Sequence, residues 1–179
     1  AYITIIIGFM GVVLALSPVV GQLHGAGRHE AAGDQFHQGL WLALGLSTLG
    51  ALLLWWPEPF LWMARASPEV AGRTRGYLRA LTLALPAALL FTVFRSFTTA
   101  VSRPKPVMLL QLGGLSLKIP LTIALVNGWP AIGLPSLGVA GCAWATVVVL
   151  WAQTAGAWAW LRRDAFYARF LIFEQGLRR

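Results

Sequence analysis

Residues 91–126, FTVFRSFTTAVSRPKPVMLLQLGGLSLKIPLTIALV, hold two long apolar runs joined by a short basic, proline-rich connector. Each run carries one cation, Arg95 in the first and Lys118 in the second. A Lys or Arg deep in a hydrocarbon span costs roughly 2.5–3.5 kcal/mol even on the mildest insertion scale, so such a residue turns toward a protein-lined or watery interior. The tract reads as part of a polytopic membrane protein with a polar interior.

Composition agrees. Of 179 residues, 58% are hydrophobic and 11% charged, and mean hydropathy is +0.69. Soluble domains are about 25% charged, so most of this surface faces lipid. The net charge of +8 is spread as single cations between apolar spans rather than gathered on one aromatic-studded patch, which argues against nucleic acid. It reads as an orientation signal and as contact with lipid headgroups. One cysteine, Cys142, excludes an internal disulfide and a thiolate metal cluster.

Outward from the opening tract, five segments have about the 20 apolar residues that a span needs: 2–20, 40–56, 78–101, 106–126 and 139–161. Trp55, Trp56, Trp129, Trp158 and Trp160 fall at or near span ends, where amphipathic rings settle among the headgroups. One side of the membrane receives Arg28, Arg103, Lys105, Arg162, Arg163, Arg169, Arg178 and Arg179; the other receives Arg65, Arg73, Arg75 and Arg79. The richer set marks the cytoplasm. Ala1 then starts outside, with no basic region before the first run, as in an internal piece of a longer protein with a further span upstream. The connector GQLHGAGRHEAAGD, 21–34, reads as a cytoplasmic turn, SRPKP as a break between spans, and NGWPAIGLPSLG as an outer loop. Residues 162–179 read as a cytoplasmic linker or interfacial helix, with aromatics interleaved among arginines.

Helical spacing sorts the polar residues of the last three spans onto stripes. Thr92, Arg95, Ser96 and Thr99 share one face, Gln111, Lys118 and Thr122 another, and Cys142, Thr146 and Gln153 a third. Three helices with one polar stripe each predict a bundle around a cavity. Hydroxyls in such stripes also serve as glue between helices or bond back to their own turn. Arg95 lies six residues before Val101, about 9 Å from the span end, within reach of the headgroups or of a structural partner. Lys118 sits roughly 12 Å from the outer end. Pro120 follows it and permits a kink, which makes Lys118 the leading candidate for a functional side chain.

All six carboxylates, Glu30, Asp34, Glu58, Glu69, Asp164 and Glu174, lie in connectors or the tail. A cation-coupled transporter needs a protonatable or ion-binding group at membrane depth, so if the chain belongs to one, the coupling site lies mainly outside it. His24, His29 and His37 have no metal-ligand spacing, and no catalytic constellation, and so no enzyme, is read from the sequence.

The strings SPVVGQLHGAGR at 17–28, FRSFTTAVSRPKPVM at 94–108, LKIPLT at 117–122 and LGVAGCAWAT at 137–146 together resemble the MATE (multidrug and toxic compound extrusion) family, in its NorM-like bacterial branch. That resemblance implies an all-α membrane protein of the bacterial inner membrane, with twelve spans in two six-helix lobes. It also implies export of cationic or amphipathic drugs in exchange for sodium ions or protons by alternating access, with no other cofactor. The five spans would be the second to sixth helices, most of the N-terminal lobe. The family's first helix carries that lobe's key aspartate. Gln22 matches the Gln before the Gly-rich turn, and Thr146 matches the Ala-Thr pair of the sixth helix. Lys118 and Thr122 stand where members often carry Asn. Two other readings are a lipid-linked carrier flippase of the wider superfamily and a non-transporting membrane scaffold subunit. The first calls for a more basic cavity, and the polar stripes speak against the second.

Overall fold

The computed structural model describes residues 2–55, 68–128, 138–170 and 172, with the side chains at 2–5, 68–71, 73–75, 139, 168 and 169 left aside. Most of the expected outer loop 127–138 lies outside the described residues, as do Trp56, Trp129, Arg65, Arg178, Arg179, Glu58 and Glu174. The described residues are helical throughout, without a strand: α1 Tyr2–Leu14, α2 Leu16–Gly25, α3 His29–Trp55, α4 Pro68–Ala100, α5 Lys105–Asn127 and α6 Val139–Arg163, followed by a 3-10 turn, Ala165–Phe170. Among the described residues, five segments are long and apolar enough to cross a membrane, α1 and α2 counting as one. Their interruption at Ala15 follows from Pro18, which lacks the N–H that would bond the Leu14 carbonyl and whose ring crowds it.

The connectors on the cation-rich side are short because each closes with a left-handed residue. After α2, Gly27 has φ 73°, Gly27 N–H donates to His24 O, and Arg28 N–H donates to Leu23 O. After α4 the same pair of bonds recurs, Ser102 N–H to Thr99 O and Arg103 N–H to Thr98 O, with Ser102 at φ 60°. Both are Schellman closures. The 14-residue turn expected at 21–34 is thus confined to Ala26–Arg28, and α3 begins at His29 rather than at residue 40. Its polar first turns are helical because their small and aromatic residues have something to pack on. Gly33 lies against the Phe170 backbone and Phe36 stacks edge-on to Phe97 at 5.0 Å.

α4 is the axis of the bundle. Its apolar stretch is 72% buried, against 6% for α5. α1, α2, α3 and α6 all pack on α4, whereas α5 packs chiefly on α6. Trp151 Nε1–H donates to the Leu83 carbonyl at 3.0 Å and Thr154 Oγ1–H to the Ala87 carbonyl at 2.9 Å, so α6 is bonded to α4 on both sides of Pro86. The outward faces carry bare apolar side chains, Trp41, Leu52, Leu112 and Ile119 among them. A soluble protein does not expose so much apolar surface in one belt; here it faces acyl chains.

The described part of the tail, read from sequence as a linker or interfacial helix, turns in under the bundle. Tyr167, Phe170 and Ile172 are buried in the main hydrophobic cluster, and Phe170 meets Phe97 edge-on at 5.2 Å. Arg103 stacks over Phe166 at 4.0 Å and reaches Asp164 at 3.4 Å, which fastens the α4–α5 connector to the end of α6. At the opposite end, Arg79 stands over the Trp55 ring at 5.8 Å, joining α4 to the end of α3.

Candidate functional site: a cation-lined cavity between three helices

The polar stripes meet. A cavity of about 310 Å³ opens between α4, α5 and α6 with Met10 of α1 also in its lining. Its polar lining is Thr92 and Arg95 from α4, Gln111 and Lys118 from α5, and Thr146 and Gln153 from α6; Phe91, Leu115, Val149 and Leu150 supply apolar wall. The volume falls within the range of small-molecule pockets, about 300–1,000 Å³. Arg95 and Lys118 are both half-buried, and neither forms an ion pair among the described residues. Arg95 is thus part of the cavity wall.

Hydroxyls and amides divide by role. Thr92 and Thr146 bond back to their own helices, at Ala88 O (2.8 Å) and Cys142 O (3.0 Å). They soften the wall without reserving a donor for a ligand. Gln153 crosses to α5 and donates from Nε2 to the Leu110 carbonyl at 3.2 Å. It does so through space left by Gly114, where any Cβ would collide with the Gln153 amide. Gly141 against the Leu125 backbone, and Gly156 against Leu110, bring the same two helices close. Gln111 is exposed at the cavity mouth.

Other expected site residues fall elsewhere. Thr122 lies one turn past Lys118, outside the cavity lining, with its Oγ1 buried and without a hydrogen-bond partner among the described residues. Ser96 Oγ is in the same state, and Thr99 is exposed. Gln22 is exposed on α2, away from the cavity, and its backbone carbonyl accepts the Ala26 N–H that closes the turn. Pro120 stands inside α5, which runs unbroken from Lys105 to Asn127. Met10 and Phe91 line the cavity but carried no signal in the sequence, because an apolar residue reads alike whether it faces lipid, a neighbouring helix or a ligand. Among the described residues no three His, Cys, Asp or Glu side chains gather to hold a metal.

Fold and cavity define a polytopic helical-bundle membrane protein with a basic, amphipathic pocket among its helices. Residues 1–124 match the MatE family profile. The chain is 38% identical over 166 residues to the multidrug resistance protein PmpM of Pseudomonas aeruginosa, an alignment covering 92% of this chain and 34% of that protein. It is 34% identical to a probable multidrug resistance protein NorM of Neisseria meningitidis, covering 95% and 37%, and 41% identical to the multidrug resistance protein NorM of Vibrio cholerae, covering 79% and 31%. The chain thus belongs to the MatE family and spans about a third of the length of these relatives. The five apolar helices among its described residues and its bacterial relatives make it a multi-pass protein of the bacterial inner membrane, in contact with the bilayer.

Proposed function

We propose that the protein containing this chain exports cationic or amphipathic drugs in exchange for sodium ions or protons by alternating access, and that the cavity between α4, α5 and α6 lies on the drug path. One observation carries the reading: Arg95 and Lys118 share a cavity at membrane depth and meet no carboxylate among the described residues. Uncompensated charge in such a place is costly, so the counter-charge comes from beyond these residues. A carboxylate on another helix of the transporter supplies it in one state. Protonation of that carboxylate, or binding of a sodium ion to it, releases Lys118, and the segment around Pro120 gives α5 freedom to bend. Aromatic and apolar wall at Phe91, Leu115 and Leu150 gives a lipophilic drug its contact area. The names of the relatives, multidrug resistance proteins, support the same reading.

The test is ethidium efflux by the full-length gene product, driven separately by sodium and proton gradients. Lys118→Ala and Lys118→Gln are expected to slow efflux and to change its dependence on one gradient. Unchanged rate and unchanged coupling in both variants would refute the proposal.

A further inference from the structure

Where α5 begins and α6 ends, the groove between them widens into two adjoining cavities of about 540 Å³ each. Trp160 and Asp164 border both. Arg103 and Lys105 line one; Arg163 lines the other, together with the small or apolar residues Leu110, Gly156 and Ala159. Arg103 is committed inside the fold, to Asp164 at 3.4 Å and to the Phe166 ring. That leaves Lys105 and Arg163 exposed, with no ion pair among the described residues, at the end of a groove whose wall turns apolar toward the membrane interior.

We infer that this groove end seats an anionic phospholipid of the cytoplasmic leaflet. The phosphate faces Lys105 and Arg163, the Trp160 indole stands at the level of the glycerol backbone, and an acyl chain follows Leu110, Gly156 and Ala159. Each part of the ligand has its complement on the protein. Basic pockets between membrane helices on the cytoplasmic side attract anionic headgroups, and Trp belongs at the interface. Free phosphate would leave the apolar wall unused. A further helix of the same protein seated here would have to bring acids to both cations or bury them unpaired, which is strongly unfavourable.

The test is native mass spectrometry of the full-length protein titrated with phosphatidylglycerol or phosphatidylcholine. Phosphatidylglycerol is expected to be retained preferentially. The double variant K105Q/R163Q should weaken it on the order of thirty-fold, since each interfacial cation contributes about five-fold. A159F, at an exposed position, fills the apolar wall without touching a charge and is expected to weaken it as well, so the proposal stays testable if the double variant fails to fold. Equal retention of the two lipids, wild-type affinity in either variant, or displacement of phosphatidylglycerol by inorganic phosphate would each overturn the assignment.

Discussion

Gln153 on α6 donates to the Leu110 carbonyl of α5 at 3.2 Å, and only a residue without a side chain at position 114 leaves room for it. The α5–α6 contact that carries two of the cavity's three helical walls thus rests on two kinds of glycine. At Gly114 the neighbour is the movable end of a side chain; at Gly141 it is the Leu125 backbone. Gly114→Ala is expected to break one interhelical bond at a cost of about 0.6 kcal/mol, the average for such bonds in a membrane protein. Gly141→Ala has to push the helices apart and should cost about 1–3 kcal/mol, as overpacking does. Thermal unfolding of both variants in detergent checks the order; equal losses would contradict it.

Ser102 closes α4 at φ 60°, a conformation that strains every side chain but glycine. Replacing it with Gly relieves that strain while adding backbone freedom to the unfolded chain. The balance predicts that Ser102→Gly stabilises by about 0.5–1 kcal/mol. A lower unfolding temperature for S102G would mean that the hydroxyl has a role the turn geometry does not show.

Periodicity carried the interior of the membrane well and its edges poorly. Arg95, Gln111, Lys118, Thr146 and Gln153 converge because 3.6-residue spacing is imposed by the backbone itself, so a stripe in sequence is a stripe in space. Gly33 and Asp34 read as turn residues, yet they sit in the second turn of α3, since local propensity yields where packing is available. The packing partner, Phe170, lies more than 130 residues away and left no local trace. The same distance hid the docking of the tail, whose aromatics look alike whether they lie on a membrane surface or under a helix. Gln22 came from resemblance, which fixes a position in the family's order without fixing what this fold presents to it, whereas Thr122 shares the Lys118 stripe but lies one turn beyond the cavity, since a stripe gives the face and not the depth.

Thr122 and Thr154 separate two fates of a membrane hydroxyl. Thr154 Oγ1–H reaches the Ala87 carbonyl of α4 at 2.9 Å, whereas Thr122 Oγ1 is buried with no partner among the described residues. Thr154→Val should cost about 0.6–1.7 kcal/mol, the range of interhelical bonds in membranes. Thr122→Val should be neutral or slightly stabilising, because it removes an unsatisfied polar atom at nearly constant shape. Unfolding of the full-length protein decides. A T122V loss as large as that of T154V would place a partner for Thr122 beyond the described residues.

Tyr167 reports on the tail. It is 1% exposed, and its hydroxyl lies 3.5 Å from Thr98 Oγ1 at the end of α4. Burial raises its pKa above the ordinary 10.0; the Thr98 bond opposes this, the Asp164 charge adds to it and the Arg103 charge subtracts. Above pH 10.0 the unfolded chain loses this phenolic proton while the folded one keeps it. By linkage, the stability that Tyr167 contributes is complete below 10.0 and is lost as pH rises through the folded value. The difference in phenolate absorbance between wild type and Tyr167→Phe is expected to rise only beyond pH 10.0. Trypsin cleavage after Arg162 and Arg163 should accelerate over the same interval as the 165–170 turn leaves Gly33. A difference curve centred at or below 10.0 would show that the ring is not held under the bundle.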